Sequence, residues 1–246
     1  MTHANRIAVI TGAAGGIGQA IAVGLASRGA SVVGIDRQEC GQTQEEVEVA
    51  GGEWMALQAD VSSTDDVAHI AKAVLSRLGR CDILINNAGI YPARDFLSLD
   101  YEEWRRVLSI NLDSQFLMSK AFVPAMIEKE WGRIVNITSG SVQIAAENLS
   151  AYKASKMGTI GLTRGMAADL GRFGITVNAA SPSLTRTPGV MSYGAAEHLD
   201  AMAQVQAIKR VSVATDIVGL IAFLTSDDAH FVTGQTILAD GGMTFF

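Results

Sequence analysis

The sequence predicts an α/β protein whose doubly wound parallel sheet is covered by helices on both faces. Short runs of β-branched and apolar residues alternate with longer segments of helical character along the chain. This alternation is typical of parallel strands joined by helical crossovers. Several strand segments are almost wholly apolar, as expected when both faces of a sheet are buried. The composition, 48% apolar and 18% charged, can fill such a core.

Seven segments are predicted strands, and they cover residues 6–11, 31–36, 53–59, 82–86, 132–138, 175–180 and 236–239. Helices are predicted in the longer segments between them, at 16–29, 40–51, 64–79, 101–130, 150–173 and 214–225. Ser63 or Thr64 can cap the third helix, while Gly29, Gly79 and Gly174 fall near helix ends.

A single domain over residues 1–246 is predicted, because the chain has no repeat, low-complexity tract or break in composition. The segment from about 183 to 213 differs from its surroundings. It contains Pro188, two glycines and a short amphipathic stretch. We interpret it as a small substrate-binding lobe or lid.

Charge and composition exclude several classes of partner. The net charge is −6 and there is no basic run, which argues against nucleic acid or an anionic membrane surface. No segment reaches the about 18 unbroken apolar residues of a membrane span. Cys40 and Cys81 are too few for a disulfide framework, and no metal site is predicted. With no signal peptide recognised, these features predict a cytoplasmic protein.

A glycine-rich string follows the first strand, Thr11-Gly12-Ala13-Ala14-Gly15-Gly16-Ile17-Gly18. Glycines allow the backbone to turn beside a diphosphate, and the N-terminus of the next helix offers free N–H groups. The string lies between a strand and a helix and precedes another strand, which is the context that a dinucleotide site requires. The predicted cofactor contacts in it are Gly12, Gly15, Gly16, Ile17 and Gly18.

Asp36 ends the second predicted strand, 18 residues after Gly18. A carboxylate there accepts both hydroxyls of the adenosine ribose and repels a 2′-phosphate, which predicts NAD as the cofactor. The neighbouring Arg37 complicates this prediction, because an arginine can bind that phosphate. Some use of NADP therefore stays open.

Two further strand ends carry candidate cofactor residues. Asp60-Val61 follows the third strand, where the carboxylate either holds the adenine or caps a helix. Asn87-Ala88-Gly89 follows the fourth strand, and these small residues suit a floor beneath the cofactor.

Tyr152 and Lys156 lie four residues apart in a helix-forming stretch, so they share one helix face. A free tyrosine titrates near about 10, and a neighbouring ammonium with a positive nicotinamide would lower that pKa. Tyr152 could then act as general acid or base. Ser139 could hydrogen-bond the substrate oxygen, and Asn111 could bind a water that reaches Lys156. The ordinary structural alternatives are a helix pair for Tyr152 and Lys156, a turn or cap for Ser139, and a helix kink for Asn111.

Taken together, TGAAGGIG, Asp60, NNAG, Asn111, Ser139 and Tyr152-x-x-x-Lys156 resemble the short-chain dehydrogenase/reductase family over essentially the whole chain. The resemblance implies a seven-stranded Rossmann-type sheet and a catalytic tetrad of Asn111, Ser139, Tyr152 and Lys156. It also implies that Lys156 and Tyr152 contact the nicotinamide ribose region. Further implied cofactor contacts are Pro182, Leu184 and Thr185.

One position departs from the family pattern. Pro182-Ser183 stands where Pro-Gly is common, and serine tolerates a positive φ less well than glycine. The strings PSLTRT and GIYP resemble the 1-phenylethanol dehydrogenase branch, which oxidises aryl secondary alcohols with NAD.

The substrate pocket is predicted from segments 90–97, 140–149 and 184–205. Their apolar and aromatic side chains favour a lipophilic substrate over a phosphorylated sugar. The candidate substrate contacts are Tyr91, Ser139, Ile144, Leu149, Tyr152, Met191 and Tyr193.

Four functions remain compatible with these patterns. The first is an NAD-linked dehydrogenase acting on a hydrophobic secondary alcohol and its ketone. The second is a 3-oxoacyl-[acyl-carrier-protein] reductase, which would require NADPH and a basic docking patch. The others are an epimerase or dehydratase of nucleotide sugars and a catalytically silent dinucleotide sensor.

A homotetramer is also predicted. Members of the resembled family commonly pair long helices and edge strands with 222 symmetry. Here those elements are residues 101–130, residues 150–173 and the last strand. Beyond the last strand, Met243, Phe245 and Phe246 are expected to dock against a neighbouring subunit, beside its pocket.

Overall fold

A computed structural model describes residues 2–194 and 196–245 and contains the predicted doubly wound sheet. Seven parallel strands form the sheet: β1 (Ile7–Thr11), β2 (Ser31–Asp36), β3 (Trp54–Gln58), β4 (Ile83–Asn86), β5 (Gly132–Ile137), β6 (Ile175–Pro182) and β9 (Thr236–Ala239). Their order is β3-β2-β1-β4-β5-β6-β9. The α/β fold class, the single domain and the seven strands predicted from the sequence are therefore confirmed.

The helices are α1 (Gly16–Ala26), α2 (Gly41–Val49), α3 (Thr64–Leu78), α4 (Tyr101–Leu108), α5 (Ser114–Glu128), α6 (Ser150–Leu170), α7 (Pro188–Ser192), α8 (Ala196–Val205) and α9 (Val218–Leu224). The Ser63 hydroxyl caps α3, and Gly79 ends it with a φ of 72°. These two signals were readable from the sequence.

The predicted helix at 101–130 is wrong as one continuous element. A π-helical turn at Ser109–Asp113 separates α4 from α5. Such a turn inserts one residue into an otherwise regular helix, so apolar periodicity does not reveal it. It carries the candidate catalytic residue Asn111.

Two apolar layers cover the sheet. One packs α1 and α9 against β1 and β4, through residues such as Ile21, Leu25 and Ile221. The other packs α3 and α5 on the opposite face, through residues such as Ile70 and Phe122. Strand order reverses where β1 lies between β2 and β4. The carboxyl ends of these strands border the crevice in which open α/β sheets bind ligands.

The segment between β6 and α9 contains a two-stranded parallel sheet, β7 (Thr185–Arg186) with β8 (Ser212–Val213), together with α7 and α8. Ser183 at its start does not adopt a positive φ, a conformation that the described non-glycine residues show at Asn5, Glu130 and Asn148. Its hydroxyl instead donates to Gln206 Oε1 at 3.2 Å. The serine therefore replaces the common glycine without strain.

Across residues 2–194 and 196–245, no helix combines the length and the apolar character needed to cross a bilayer.

Candidate active site

A cleft of about 1020 Å³ opens at the carboxyl ends of the central strands. The glycine loop and the segment after β4 line one side of it. The segment after β5, the start of α6 and the lobe line the other side. The cleft thus joins the predicted cofactor and substrate regions.

The glycines of the loop are required for different structural reasons. At Gly12, with a φ of +68°, a Cβ would lie 2.9 Å from Ala88 Cα. At Gly18 a Cβ would lie 2.0 Å from Gly12 O, so this residue allows helix and strand to pack closely and does not line the cleft. Gly15 has open space where a Cβ would be and lies against the cleft.

No side chain caps the N-terminus of α1, which starts at Gly16 beside the cleft. Its first N–H groups are therefore available to an anion. A loop that only glycine can form, ending on an uncapped helix, fits the diphosphate of a dinucleotide.

The segment after β4, residues 87–89, is hydrogen-bonded directly to the glycine loop on the cofactor side of the cleft. The Thr11 hydroxyl oxygen accepts hydrogen bonds from the backbone N–H groups of Asn87 and Ala88, both at 3.0 Å. The Asn87 amide donates to Thr11 O at 2.9 Å and to Gly12 O at 3.1 Å. These bonds fix Asn87 and Ala88 beside the cleft, which Gly89 also lines, and contact of these residues with a cofactor stays a prediction.

Asp36 lies at the end of β2 and lines the cleft. One carboxylate oxygen accepts the Ala14 N–H and the other accepts the Gln38 N–H, each at 3.0 Å. These bonds orient the carboxylate while leaving lone pairs for ribose hydroxyls.

Arg37, Asp60 and Val61 do not line the cleft. Arg37 Nε lies 3.6 Å from Asp60 Oδ2. Asp60 Oδ1 accepts the backbone N–H and the hydroxyl of Ser62. Burial acts against the Asp60 charge, but the Ser62 hydrogen bonds and Arg37 outweigh it and lower the pKa. The structure therefore places Asp60 in a turn before α3, and Val61 is buried in the core.

Tyr152 and Lys156 lie one turn apart on α6, and Ser139 follows β5. All three line the cleft. Lys156 Nζ donates to Ile137 O at 2.9 Å and lies 5.7 Å from the centre of the Tyr152 ring. The predicted tyrosine, lysine and serine are thus brought together.

Burial dominates the protonation of these groups. It raises the pKa of Tyr152 to about 12, and a hydrogen bond from Ser139 offsets only part of this. Burial also lowers the pKa of Lys156 to about 8. In the protein alone, without the positive nicotinamide that the expectation also included, desolvation of the phenolate is therefore the largest effect on the Tyr152 pKa.

Asn111 is buried behind the cleft, and its predicted water contact stays a prediction. Its Oδ1 accepts the Ile90 N–H at 2.8 Å, and its Nδ2 donates to Ile90 O at 3.0 Å and to Ser155 Oγ at 3.2 Å. Both amide hydrogens and one lone pair of Oδ1 are thus used in holding the segment after β4 and Ser155, one lone pair of Oδ1 stays available, and the side chain does not line the cleft. It adjoins Lys156 across Gly89, where an added Cβ would lie 3.2 Å from Asn111 Oδ1 and 3.5 Å from Lys156 Nζ.

Pro182, Leu184 and Thr185, which the resemblance implies as cofactor contacts, also line the cleft. The Thr185 hydroxyl donates to Ser183 O at 3.0 Å, which holds the turn into β7. On the glycine loop, Gly16 and Ile17 lie at the same cleft.

Four predicted substrate residues, Tyr91, Ile144, Leu149 and Tyr193, line the other side. The Tyr91 ring meets Tyr152 edge-on at 4.7 Å between ring centres. It also lies 6.5 Å from Tyr193. Met191, also predicted here, is not among the residues that line the cleft and is 45% exposed on α7.

Four lining residues, Glu147, Asn148, Thr187 and His198, lie in the predicted segments but were not named individually, and Met243 lies outside those segments. Sequence reasoning also missed Lys153, whose Nζ donates to Ile144 O at 2.8 Å and holds that segment at the cleft. None belongs to a recognisable spacing pattern. In the described part of the chain, no group of three or more His, Cys, Asp or Glu could hold a metal ion.

The chain is similar to curated enzymes along almost its whole length. A family model described as enoyl-(acyl carrier protein) reductase matches residues 12–244. A 3-oxoacyl-[acyl-carrier-protein] reductase from Synechocystis sp. is 36% identical, over 98% of each chain. The 3-oxoacyl-[acyl-carrier-protein] reductase FabG of Escherichia coli is 35% identical, over 99% of each chain.

Solved structures share the fold with different cofactors. One, described as a candidate NAD(P)-dependent gluconate 5-dehydrogenase from Beutenbergia cavernae with bound NADP, is 36% identical. Its TM-score is 0.91, over 98% of this chain and 97% of that one. Carveol dehydrogenase from Mycobacterium avium in complex with NAD is 28% identical, with a TM-score of 0.92 over 98% of each chain.

These similarities show the family of the chain but do not show to which branch of the family it belongs. None of the four proteins is named a 1-phenylethanol dehydrogenase, so that branch stays a prediction. The glycine loop, the cleft and the paired Tyr152 and Lys156 agree with the family-wide match. The chain therefore belongs to the short-chain dehydrogenase/reductase family of oxidoreductases, which bind nicotinamide cofactors.

Proposed function

We propose that this protein interconverts a secondary alcohol and its ketone, with NAD(H) as cofactor and Tyr152 as general acid and base. The observation that carries the proposal is the grouping of Tyr152, Ser139 and Lys156 in one cleft, with Asp36 at its opposite end. The cleft has room for a dinucleotide beside a small substrate, and its substrate side is mainly apolar.

Each residue has a defined part in this chemistry. The nicotinamide, when bound, supplies or accepts the hydride. Tyr152 gives a proton to the substrate oxygen in reduction and removes it in oxidation. The Ser139 hydroxyl donates a hydrogen bond to the same oxygen, and Lys156 holds the ribose next to the nicotinamide. Tyr91 packs against Tyr152 and keeps water from its ring.

The preference for NAD(H) rests on two charges. The Asp36 carboxylate faces the cleft where the adenosine ribose would lie, and it would repel a 2′-phosphate. Arg37, the cation that could attract that phosphate, is held outside the cleft lining by Asp60 at 3.6 Å. In this proposal Asp60 therefore acts on cofactor choice by restraining Arg37.

On the substrate side, a second candidate is a 3-oxoacyl-[acyl-carrier-protein] reductase. The curated relatives described above carry that name, so the comparisons favour this candidate over a simple hydrophobic alcohol. The apolar lining of the cleft suits an acyl chain as well as an aryl or alkyl group. Asp36 and the net charge of −6 are the observations against an NADPH-linked, basic carrier-protein reductase.

A four-way assay separates these candidates. Purified protein is given NADH or NADPH with either a bulky aryl ketone or a 3-oxoacyl thioester, and kcat/KM is measured for each pair. The proposal expects NADH to be the better cofactor with both substrates. Preference for the thioester would select the reductase of acyl thioesters, whereas equal kcat/KM with NADH and NADPH would refute the cofactor assignment.

We also propose that residues 183–213 are the substrate lobe, because Tyr193 and His198 from this segment line the cleft. A cytoplasmic location is proposed as well, since the relatives are carrier-protein reductases.

A homotetramer remains part of the proposal. β9 is paired with β6 alone among the described strands, and Phe231 and Phe245 are 94% and 84% exposed. Met243 does not support docking on a neighbour, because it lies in the cleft of its own chain, and Phe246 falls outside the described residues. Sedimentation of the wild type and of Phe245→Asp tests the assembly. A fully active monomeric wild type would refute it.

A further inference from the structure

Residues 240–244 follow β9 and run beside the substrate side of the cleft, and we call this segment the strap. Met243 projects from it and lines the cleft. A Cβ added to Gly140 would lie 3.1 Å from Met243 Cε, so the thioether lies directly against the residue that follows Ser139. Met243, 104 positions after Ser139 in the sequence, thereby borders residues 139–143, which we call the catalytic turn.

The strap is bound to this turn by hydrogen bonds. The Thr244 hydroxyl contacts the side-chain amide of Gln143 and lies 2.8 Å from Asp240 Oδ2. The Thr244 N–H donates to the same carboxylate oxygen at 3.0 Å, and the Gly242 N–H donates to Asp240 Oδ1 at 2.9 Å. Since Asp240 is only 4% exposed, these bonds satisfy a buried carboxylate and fix the backbone on both sides of Met243.

The strap is bound to the lobe on its other side. The Ala207 N–H donates to Gly242 O at 3.1 Å, and the Ile208 N–H donates to Gly241 O at 2.8 Å. A Cβ at Gly242, whose φ is +72°, would lie 2.8 Å from Ala207 Cβ. Close contact and positive φ both require glycine here, so the strap joins the lobe to the catalytic turn.

We propose that Met243 is a specificity-determining residue of the same chain's active site. Held by the strap, its side chain sets the size of the apolar group that the substrate can carry on the carbonyl carbon next to Ser139. This inference rests on the proposed interconversion of alcohol and ketone. An unbranched, polarizable thioether suits this place, because it fills an apolar space while adapting to groups of different shape.

The test uses methyl ketones whose second alkyl group grows from ethyl to octyl. Met243→Ala should raise the kcat/KM ratio of long to short ketones, and Met243→Phe should lower it, each by about tenfold or more. Met243→Leu, of similar volume, should stay near the wild type and shows whether this position can be changed without loss of folding. Met157→Ala, at a half-exposed residue of α6 that does not line the cleft, is the matched control.

Unchanged ratios in both Met243→Ala and Met243→Phe would overturn the inference. If the wild type reduces none of the ketones, the proposed function is refuted, and the role of Met243 is then tested by measuring ketone binding. Calorimetric titration of the ketones into the complex with oxidised cofactor, which cannot reduce them, then compares wild type with Met243→Phe. Selective loss of affinity for the long ketones supports the inference, and equal affinities contradict it.

Discussion

Both sides of the cleft are joined by hydrogen bonds between remote segments, but the cofactor side is lined by closely packed backbone and the substrate side by side chains. On the cofactor side, Gly12 packs on Ala88, and Thr11 bonds to Asn87. On the substrate side, side chains such as Met243 and Tyr193 form the lining, and hydrogen bonds from Thr244 to Gln143 and from Ser183 to Gln206 join the segments that carry them.

This difference between the two sides indicates where a residue can be substituted without disturbing the fold. A glycine whose Cβ would lie 2.0 to 2.9 Å from backbone atoms, as at Gly18 and Gly12, cannot be replaced without moving a strand or helix. A wall made by Met243 or Tyr193 can change in size without touching the sheet. We therefore expect substitutions on the two sides to affect separate measurements, cofactor use and substrate choice.

The largest expected effect lies where the two sides meet. Tyr152→Phe should lower kcat by about 10²- to 10⁴-fold, because the hydroxyl supplies the proton transfer. The ring still fills its place against Tyr91, so the Kd for NADH should stay within a few fold of the wild type. Turnover and NADH fluorescence titration measure the two quantities. Near-normal turnover in this variant would remove Tyr152 from the mechanism.

Changing the charge of Asp36 should alter cofactor use alone. Asp36→Asn keeps one acceptor oxygen, which can take the Ala14 N–H, but loses the acceptor of the Gln38 N–H and removes the repulsion of a 2′-phosphate. We expect the ratio of kcat/KM with NADP to that with NAD to rise about tenfold, or about 1.4 kcal/mol. Adding Asp60→Asn should raise the ratio further by freeing Arg37. An unchanged ratio in both variants would refute the role of these charges, and a changed ketone preference would contradict the separation of the two sides.

The direction of reaction should depend on pH through Tyr152. Because burial raises its pKa to about 12, the hydroxyl carries its proton at neutral pH and is ready to reduce a ketone. Oxidation needs the phenolate, whose fraction rises about tenfold per pH unit below the pKa. We expect kcat/KM for the alcohol to rise from pH 7 to pH 9, while that for the ketone does not. A faster oxidation at pH 6 than at pH 9 would contradict this assignment.

The same difference explains what the sequence could predict. The glycine loop, Asp36 and the floor after β4 belong to short strings in which strand, turn and helix follow one another, so local patterns were sufficient. Tyr152 and Lys156 share a helix face by spacing alone. The π-helical turn at Ser109–Asp113 has no periodic signal, so the use of Asn111 was not foreseen.

The substrate side was predicted less well for a physical reason. Segments that approach through tertiary contacts leave no spacing pattern. Apolar character therefore nominated Met191, which is exposed on α7, and assigned Met243 to a neighbouring subunit. Asp60 shows a different difficulty, since a cofactor contact and a turn before a helix use the same residue type, so the sequence alone could not choose between them.

The smallest expected effect concerns the strap. Thr244→Val keeps the shape of the side chain but removes the hydroxyl that contacts Gln143 and Asp240. Loss of one net hydrogen bond, about 1 kcal/mol, should loosen the wall beside Ser139 and raise KM for the ketone about fivefold. The kcat should change little, because Tyr152 and Lys156 are untouched, and the Kd for NADH should not change. Thr244→Ser restores a hydroxyl at the same place and should restore KM. A fall in kcat with unchanged KM, or no rescue by serine, would show that the strap does not position the substrate wall.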